Sequence, residues 1–214
     1  MTKILILGGG GMVGQKLANH LLASGLSGYK ALDITLFDMA FPLKQDGRLR
    51  CITGSLTNAQ NITMLAQLRP DIVFHLASIV SGEAESNFDA GWQINMFTMW
   101  HYLEALKALH IGSNGAYVPK IIFTSSIAVF GGPFPEQIDD TFLSAPQTSY
   151  GAQKASCELL LSDFSRKGFV DGISLRLPTI CVRPGKANLA ASSFFSGIIR
   201  EPLNGQKAIL PVDE

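Results

Sequence analysis

The chain is predicted to be an α/β protein, a doubly wound parallel sheet with helices on both faces. Three observations predict it. Short β-branched runs alternate with stretches of helical period. The strand-like runs are apolar at successive positions, as a sheet covered on both faces requires. The first run ends in a glycine cluster that opens a helix.

The elements follow in order along the sequence. KILIL (3–7) reads as a buried strand ending in four glycines. From Met12 to Ser24 the residues Val13, Leu17 and Leu21 recur at helical spacing, and Gly25 is a stop signal. DITLFD (33–38) is a second strand and LRCITG (49–54) a third. A helix with Ile62, Leu65 and Leu68 on one face comes next, then a fourth strand, DIVFHLA (71–77). Trp92, Met96, Met99, Leu103, Leu106 and His110 step by three and four, which predicts one long packed helix. KIIFTSS (120–126) is a fifth strand, 150–167 a helix, and GISLRLP (172–178) a sixth strand. In such sheets ligands bind beyond the carboxyl ends of the strands. The glycines, Ser78, Ser126 and the helix that starts at Tyr150 are therefore expected to converge there.

Composition narrows the function classes. The 214 residues are 47% hydrophobic and 16% charged, with a formal net charge of zero and a mean hydropathy of +0.23. That is long and apolar enough for a full core. No basic footprint for nucleic acid or a membrane surface is present, and no apolar run approaches the roughly 18 residues of a membrane span. The apolar run at the start stops at the glycines and is read as a strand rather than a secretory segment. Cys51, Cys157 and Cys181 are odd in number, far apart and without metal-ligand spacing. Structural thiols in a reduced, cytoplasmic setting are expected, with no metal.

GGGGMVG fits two glycine patterns: Gly9, Gly11 and Gly14 match G-x-G-x-x-G, and Gly8, Gly11 and Gly14 match G-x-x-G-x-x-G. Either gives a tight turn, a side-chain-free approach for a pyrophosphate and a helix N-terminus facing it. Asp38 closes the second strand, where a carboxylate accepts hydrogen bonds from the adenine ribose hydroxyls. Its neighbours Met39 and Ala40 are uncharged, which favours NAD; Lys44 keeps NADP open.

TSYGAQKA (148–155) sets Tyr150 and Lys154 one helical turn apart, roughly 6 Å between Cβ atoms. A phenol ordinarily titrates near pH 10, and a neighbouring ammonium favours phenolate. A shift of about three units corresponds to roughly 4 kcal/mol. Tyr150 is then a general base for an alcohol whose hydride leaves for a nicotinamide, and Lys154 can hold the nicotinamide ribose. Ser126, ending the fifth strand, is the natural third member, stabilising charge on the reacting oxygen. Ser125 competes, but strand alternation lets only one of the two serve.

Together GGGGMVG, Asp38, GSLTN, VFHLAS, Asn95, FTSSIAVFGG, YGAQK and RLPTICVRPG resemble the extended short-chain dehydrogenase/reductase family, the NAD-dependent sugar epimerase/dehydratase group. The resemblance runs from Lys3 to about Pro184. It implies a Rossmann-like NAD-binding domain over 1–180. It also implies that 181–214 is the start of a substrate-binding lobe that is largely absent from this chain, since family members continue well beyond ILPVDE. It implies Ser126, Tyr150 and Lys154 as catalytic residues. NAD would be held by Gly8, Gly11, Met12, Val13 and Gly14, by Asp38, Ser55 and Leu56, by Leu76, Ala77, Ser78 and Asn95, and by Tyr150, Lys154 and Pro178. Three positions depart from the family pattern: Phe130 stands where epimerases carry Tyr, Ser55 for an acidic residue, and Thr98 for a glycine.

HLASIVSGEAESNFD, SRKGFVDGISLRLPT and VRPGKANLAASSF resemble the family's oxidoreductases that act with NAD on the C2 hydroxyl of a four-carbon sugar acid. The alternative is a nucleotide-sugar epimerase or dehydratase with tightly bound NAD. A sugar acid needs a cation for its carboxylate, and Arg183 and Lys186 are candidates, with the Arg183 fork preferred. Ser126, Tyr150 and Thr179 complete the expected substrate contacts. Glu83 and Glu85 are read as surface-loop residues, and His75 as a packed core histidine. The resemblance also implies a homodimer through the helices 88–110 and 150–167.

Overall fold

In a computed structural model, the structure describes residues 1–139, 141–185, 190 and 192–211. Six strands, β1 (Thr2–Leu7), β2 (Leu32–Asp38), β3 (Arg50–Thr53), β4 (Ile72–His75), β5 (Lys120–Ser126) and β6 (Asp171–Leu177), form one sheet. Every pairing is parallel and the order is β3-β2-β1-β4-β5-β6. The order reverses between β1 and β4, which opens a crevice at their carboxyl ends.

Successive side chains on each strand serve opposite cores. Leu5 and Leu7 join Phe37, Val73 and Phe123 on one face. Ile4 and Ile6 join Ile34, Leu36 and Ile72 on the other. Both faces are covered, which is why these strands are apolar at every position.

Helix α1 (Met12–Ser24) buries Ala18 and Leu21 against the second core. It stops where Gly25, at φ +69°, donates its N–H to Leu21 O at 3.0 Å. On the other face lie α2 (Ala59–Gln67), capped by Asn58, α5 (Thr98–Gly112) and α6 (Ser149–Arg166). Their buried residues Leu65, Leu103 and Leu161 pack into the first core.

The structure differs from the sequence expectation in the segment after β4. The residues taken as a surface loop around Glu83 and Glu85 form a short helix, α3 (Ser81–Ser86), too short for any period to show. The long helix also begins earlier and is not uniform. It opens with α4 (Phe88–Gly91), passes through a π-helical turn at Trp92–Phe97 and continues as α5. Steps of three and four residues are compatible with a helix but do not register one inserted residue. Thr98, the departure from glycine, lies 1% exposed at this turn and its hydroxyl donates to Ile94 O at 2.6 Å. A last helix, α7 (Ser193–Leu203), was not expected either.

Leu103→Ala, emptying a fully buried site, is expected to lower the unfolding free energy by about 2–5 kcal/mol. Denaturant titration measures it.

Candidate active site

The crevice floor is the glycine turn. Gly8 has φ +83°, and a Cβ there would lie 2.7 Å from Ala77 N; one at Gly14 would lie 2.4 Å from Gly8 O. Gly9 instead abuts Leu36, and Gly10 abuts Ala40 O. Gly11 is open: a Cβ would meet only Gly8 O, at 3.4 Å. Gly8, Gly11 and Gly14 are therefore the glycines on the crevice wall, while Gly9 faces the core. Gly11 also starts α1 without a side-chain cap. The free N–H groups of the helix's first turn, next to Met12 and Val13, thus belong to the wall of a cavity of about 280 Å³.

At the end of β2, Asp38 accepts from Gly10 N at 2.9 Å through Oδ2 and from Met39 N at 2.7 Å through Oδ1. It lines a second cavity of about 210 Å³ with Ser55, Leu56, Leu76 and Ala77. The Ser55 hydroxyl is paired with that of Thr57 at 2.8 Å.

A third cavity, of about 490 Å³, holds Ser126, Tyr150 and Lys154 together with Pro178 and Thr179. Ser78 lines all three cavities. At the end of β5 the alternation of the strand separates the two serines. The Ser125 hydroxyl is 3% exposed and hydrogen-bonds Glu158, which Arg176 holds at 2.8 Å. Ser126 faces the cavity, its Oγ accepting from Ala128 N at 3.1 Å and capping a 3₁₀ turn at Ile127–Val129.

Thr148 caps α6 by accepting from Gly151 N at 3.1 Å, and Glu85 accepts from Ser149 N at 3.0 Å. Gly151 lets the helix rest on the 3₁₀ turn, because a Cβ there would lie 2.1 Å from Ala128 O. That contact sets Tyr150 beside the end of β5.

Lys154 is 2% exposed and donates to Thr124 O at 2.9 Å. Its ammonium lies 4.8 Å from the Phe123 ring centroid and 5.5 Å from that of Tyr150. Burial lowers the lysine to about 8. The expected effect on the phenol is not found in the protein alone. Burial raises Tyr150 above its ordinary value, and the group that opposes this is the Ser78 hydroxyl, its side-chain hydrogen-bond partner. The ammonium is spent on a carbonyl and lies over the ring, away from the phenol oxygen.

Asn95 is not on the crevice wall. It is 1% exposed on the π turn, behind Ser78. Arg183 is exposed and lines the glycine cavity; its N–H donates to Ser196 Oγ at 3.0 Å and its carbonyl accepts from Arg200 at 2.7 Å. Lys186 lies outside the described residues. Glu83 is exposed on α3. His75 is fully buried beside Phe123, and burial lowers it to about 3. Cys157 is buried and donates to Asn95 O at 3.2 Å, whereas Cys51 and Cys181 are exposed. Among the described residues, no group of three or more His, Cys, Asp or Glu could hold a metal. No helix among them is long and apolar enough to cross a membrane.

Sequence reasoning missed Arg200, which reaches the glycine cavity from α7 with no local signal. It also missed Gln153, whose signal was available: it sits between Tyr150 and Lys154 on one helix.

A glycine turn at the sheet's switch point, with a Tyr/Lys pair across the crevice, defines a Rossmann-type dinucleotide fold. The chain matches the NAD dependent epimerase/dehydratase family over residues 4–213 and belongs to it. It is 46% identical to a D-erythronate dehydrogenase of Haemophilus influenzae over 99% of this chain and 65% of that protein. To one of Cupriavidus necator it is 47% identical, over 98% and 64%. It thus spans just under two thirds of the length of these relatives. A crystal structure of a nucleoside-diphosphate-sugar epimerase from Agrobacterium tumefaciens superposes with a TM-score of 0.90 at 50% identity, covering 100% of this chain and 63% of that one. The UDP-glucose 4-epimerase of Thermus thermophilus in complex with NAD shares the fold, with a TM-score of 0.79 at 19% identity. It covers 97% of this chain and 64% of that one.

His75 supplies a pH test. Its folded value of about 3 lies below the ordinary 6.5, so the unfolded chain binds the extra proton between those limits. Stability therefore falls as pH drops through that window, by up to about 1.4 kcal/mol per pH unit from this one group. His75→Gln is expected to remove that part of the slope in denaturant titrations at a series of pH values.

Proposed function

We propose that the chain carries the NAD site and the catalytic residues of a dehydrogenase acting on the C2 hydroxyl of a small sugar acid, D-erythronate or a close relative. The observation that carries the reading is the meeting of Ser126, Tyr150 and Lys154 on one cavity wall, joined to the glycine turn through Ser78. In this reading residues 1–180 are the NAD-binding unit, 181–214 begin the substrate-binding lobe, and the enzyme works in the cytoplasm.

The residues suit the dinucleotide. A side chain at Gly8 or Gly14 would fill the cradle, the uncapped start of α1 offers N–H donors to a pyrophosphate, and Asp38 stands where the adenine ribose would lie. The uncharged Met39 beside it favours NAD over NADP. When bound, NAD supplies the hydride acceptor. Tyr150 takes the proton of the substrate hydroxyl, Ser126 hydrogen-bonds the same oxygen, and Lys154 serves the ribose hydroxyls and the phenolate. Because Lys154 is already depressed to about 8, it holds its proton at neutral pH and releases it on a modest rise. Arg183, on the glycine cavity wall, takes the substrate carboxylate, and Thr179 a hydroxyl.

The name of the Agrobacterium relative supports a second reading, a nucleotide-sugar epimerase or dehydratase that retains its NAD through each turnover. NAD that leaves readily on dialysis would argue against it.

The homodimer is proposed through α5 and α6, where Phe97, Trp100 and Leu159 are 40%, 39% and 73% exposed beside an apolar groove. An isologous contact of this face would cover them. Leu159→Glu is expected to halve the mass seen in light scattering.

Full-length enzyme incubated with NAD and D-erythronate is expected to generate NADH absorbance. Tyr150→Phe should lower kcat by about 10²–10⁴-fold and Ser126→Ala by about 10²–10³-fold, with KM for NAD nearly unchanged. No NADH from erythronate or related aldonates would refute the reading.

A further inference from the structure

Gln153 is a fully buried amide one turn of helix from the crevice, on the same helix as Tyr150. Its Oε1 accepts from Asn95 Nδ2 at 2.8 Å. Asn95 Oδ1 accepts from Ile79 N at 2.8 Å and from Ser78 Oγ at 3.0 Å. The orientation of both amides follows from donor and acceptor roles. A backbone N–H only donates, so the atom of Asn95 facing Ile79 is oxygen, and the atom facing Gln153 is nitrogen. Gln153 must then present its oxygen. The Ser78 hydroxyl is the side-chain hydrogen-bond partner of the Tyr150 phenol, and both residues line the same two cavities.

Four side chains therefore close a ring that leaves α6 at Gln153 and returns to it at Tyr150. The surroundings are built around it. The π turn, which inserts a residue into its helix, carries Asn95. Gly91, one residue before that turn, has no room for a side chain: a Cβ would lie 2.5 Å from Gln153 Nε2.

We propose that Gln153 and Asn95 are positioning residues for Tyr150, acting through Ser78, whose hydroxyl they hold against the phenol oxygen. The inference rests on the reading of Tyr150 as the proton acceptor. Without the ring, Ser78 is free to rotate away, and burial acts on the phenol unopposed. The charged and titratable groups around the phenol are Lys154 on α6, Arg183 and Arg200 across the glycine cavity, Glu85 at the start of α6, and neutral His75 behind Lys154. The ring leaves all of them in place, so its removal isolates the contribution of Ser78.

The test is the titration of the Tyr150 phenol, followed by phenolate difference absorbance against Tyr150→Phe. Ser78→Ala and Gln153→Met are each expected to move the midpoint up by about 0.5–1 unit. The double variant is expected to move it no further than Ser78→Ala alone, because Gln153 acts through the serine. In the full-length enzyme with NAD and D-erythronate, Gln153→Met should lose about three- to tenfold in kcat at neutral pH. Raising the pH should restore it, with KM for NAD unchanged. Additive shifts, an unchanged midpoint in Gln153→Met, or an equal kcat loss at every pH would overturn the proposal. Should Gln153→Met fail to fold, Ser78→Ala removes only one oxygen from a cavity wall, and an unchanged midpoint there overturns it too. Full activity in Tyr150→Phe would instead sink the catalytic reading and leave the titration result standing.

Discussion

The crevice exists because backbones meet at its edge with no side chain between them. Gly8 touches the chain just past β4, Gly14 touches the turn it helps to form, and Gly151 touches the 3₁₀ turn after β5. Each contact would be closed to alanine by a Cβ standing within 3 Å of a main-chain atom. The first two fix the start of α1 over the sheet's switch point, and the third fixes the start of α6. Once both helix ends are placed, Tyr150 and the N–H groups of α1 face the same space.

The second constraint is electrostatic. This end of the sheet buries a lysine, two amides and a histidine within a few residues of one another in space. Burial disfavours charge, and each group resolves that cost differently. His75 gives up its proton, and Lys154 lies part of the way toward doing so while bonded to a carbonyl. The amides satisfy one another through Asn95 and Gln153. Glu158 and Arg176 keep their charges by pairing, and in doing so draw Ser125 away from the crevice and leave Ser126 in it. The phenol is the group that burial moves the wrong way for a base, which is why the hydroxyl facing it matters.

Much of this was legible in the linear chain. The strands and α1 were readable because apolar side chains dominate their energetics and recur with the period of the element. The paired spacing of Tyr150 and Lys154 was readable because four residues are about one turn of any α-helix. Alternation along β5 foretold that Ser125 and Ser126 would part company. The π turn was not readable, since one inserted residue leaves a pattern of threes and fours intact, and α3 was too short to have a period at all.

What the order of residues determined by itself was the set of local regularities: which stretches would be strands, where glycine had to stand, and which polar side chains shared a helix face. Tertiary structure alone decided which glycines face the crevice, which hydroxyl meets the phenol, where the ammonium of Lys154 is directed, and that Gln153, Asn95 and Ser78 form one chain of hydrogen bonds. Those outcomes depend on contacts between segments as much as 58 residues apart. A hydrogen bond is set by distance and angle in space, and neither is encoded in any short window of sequence.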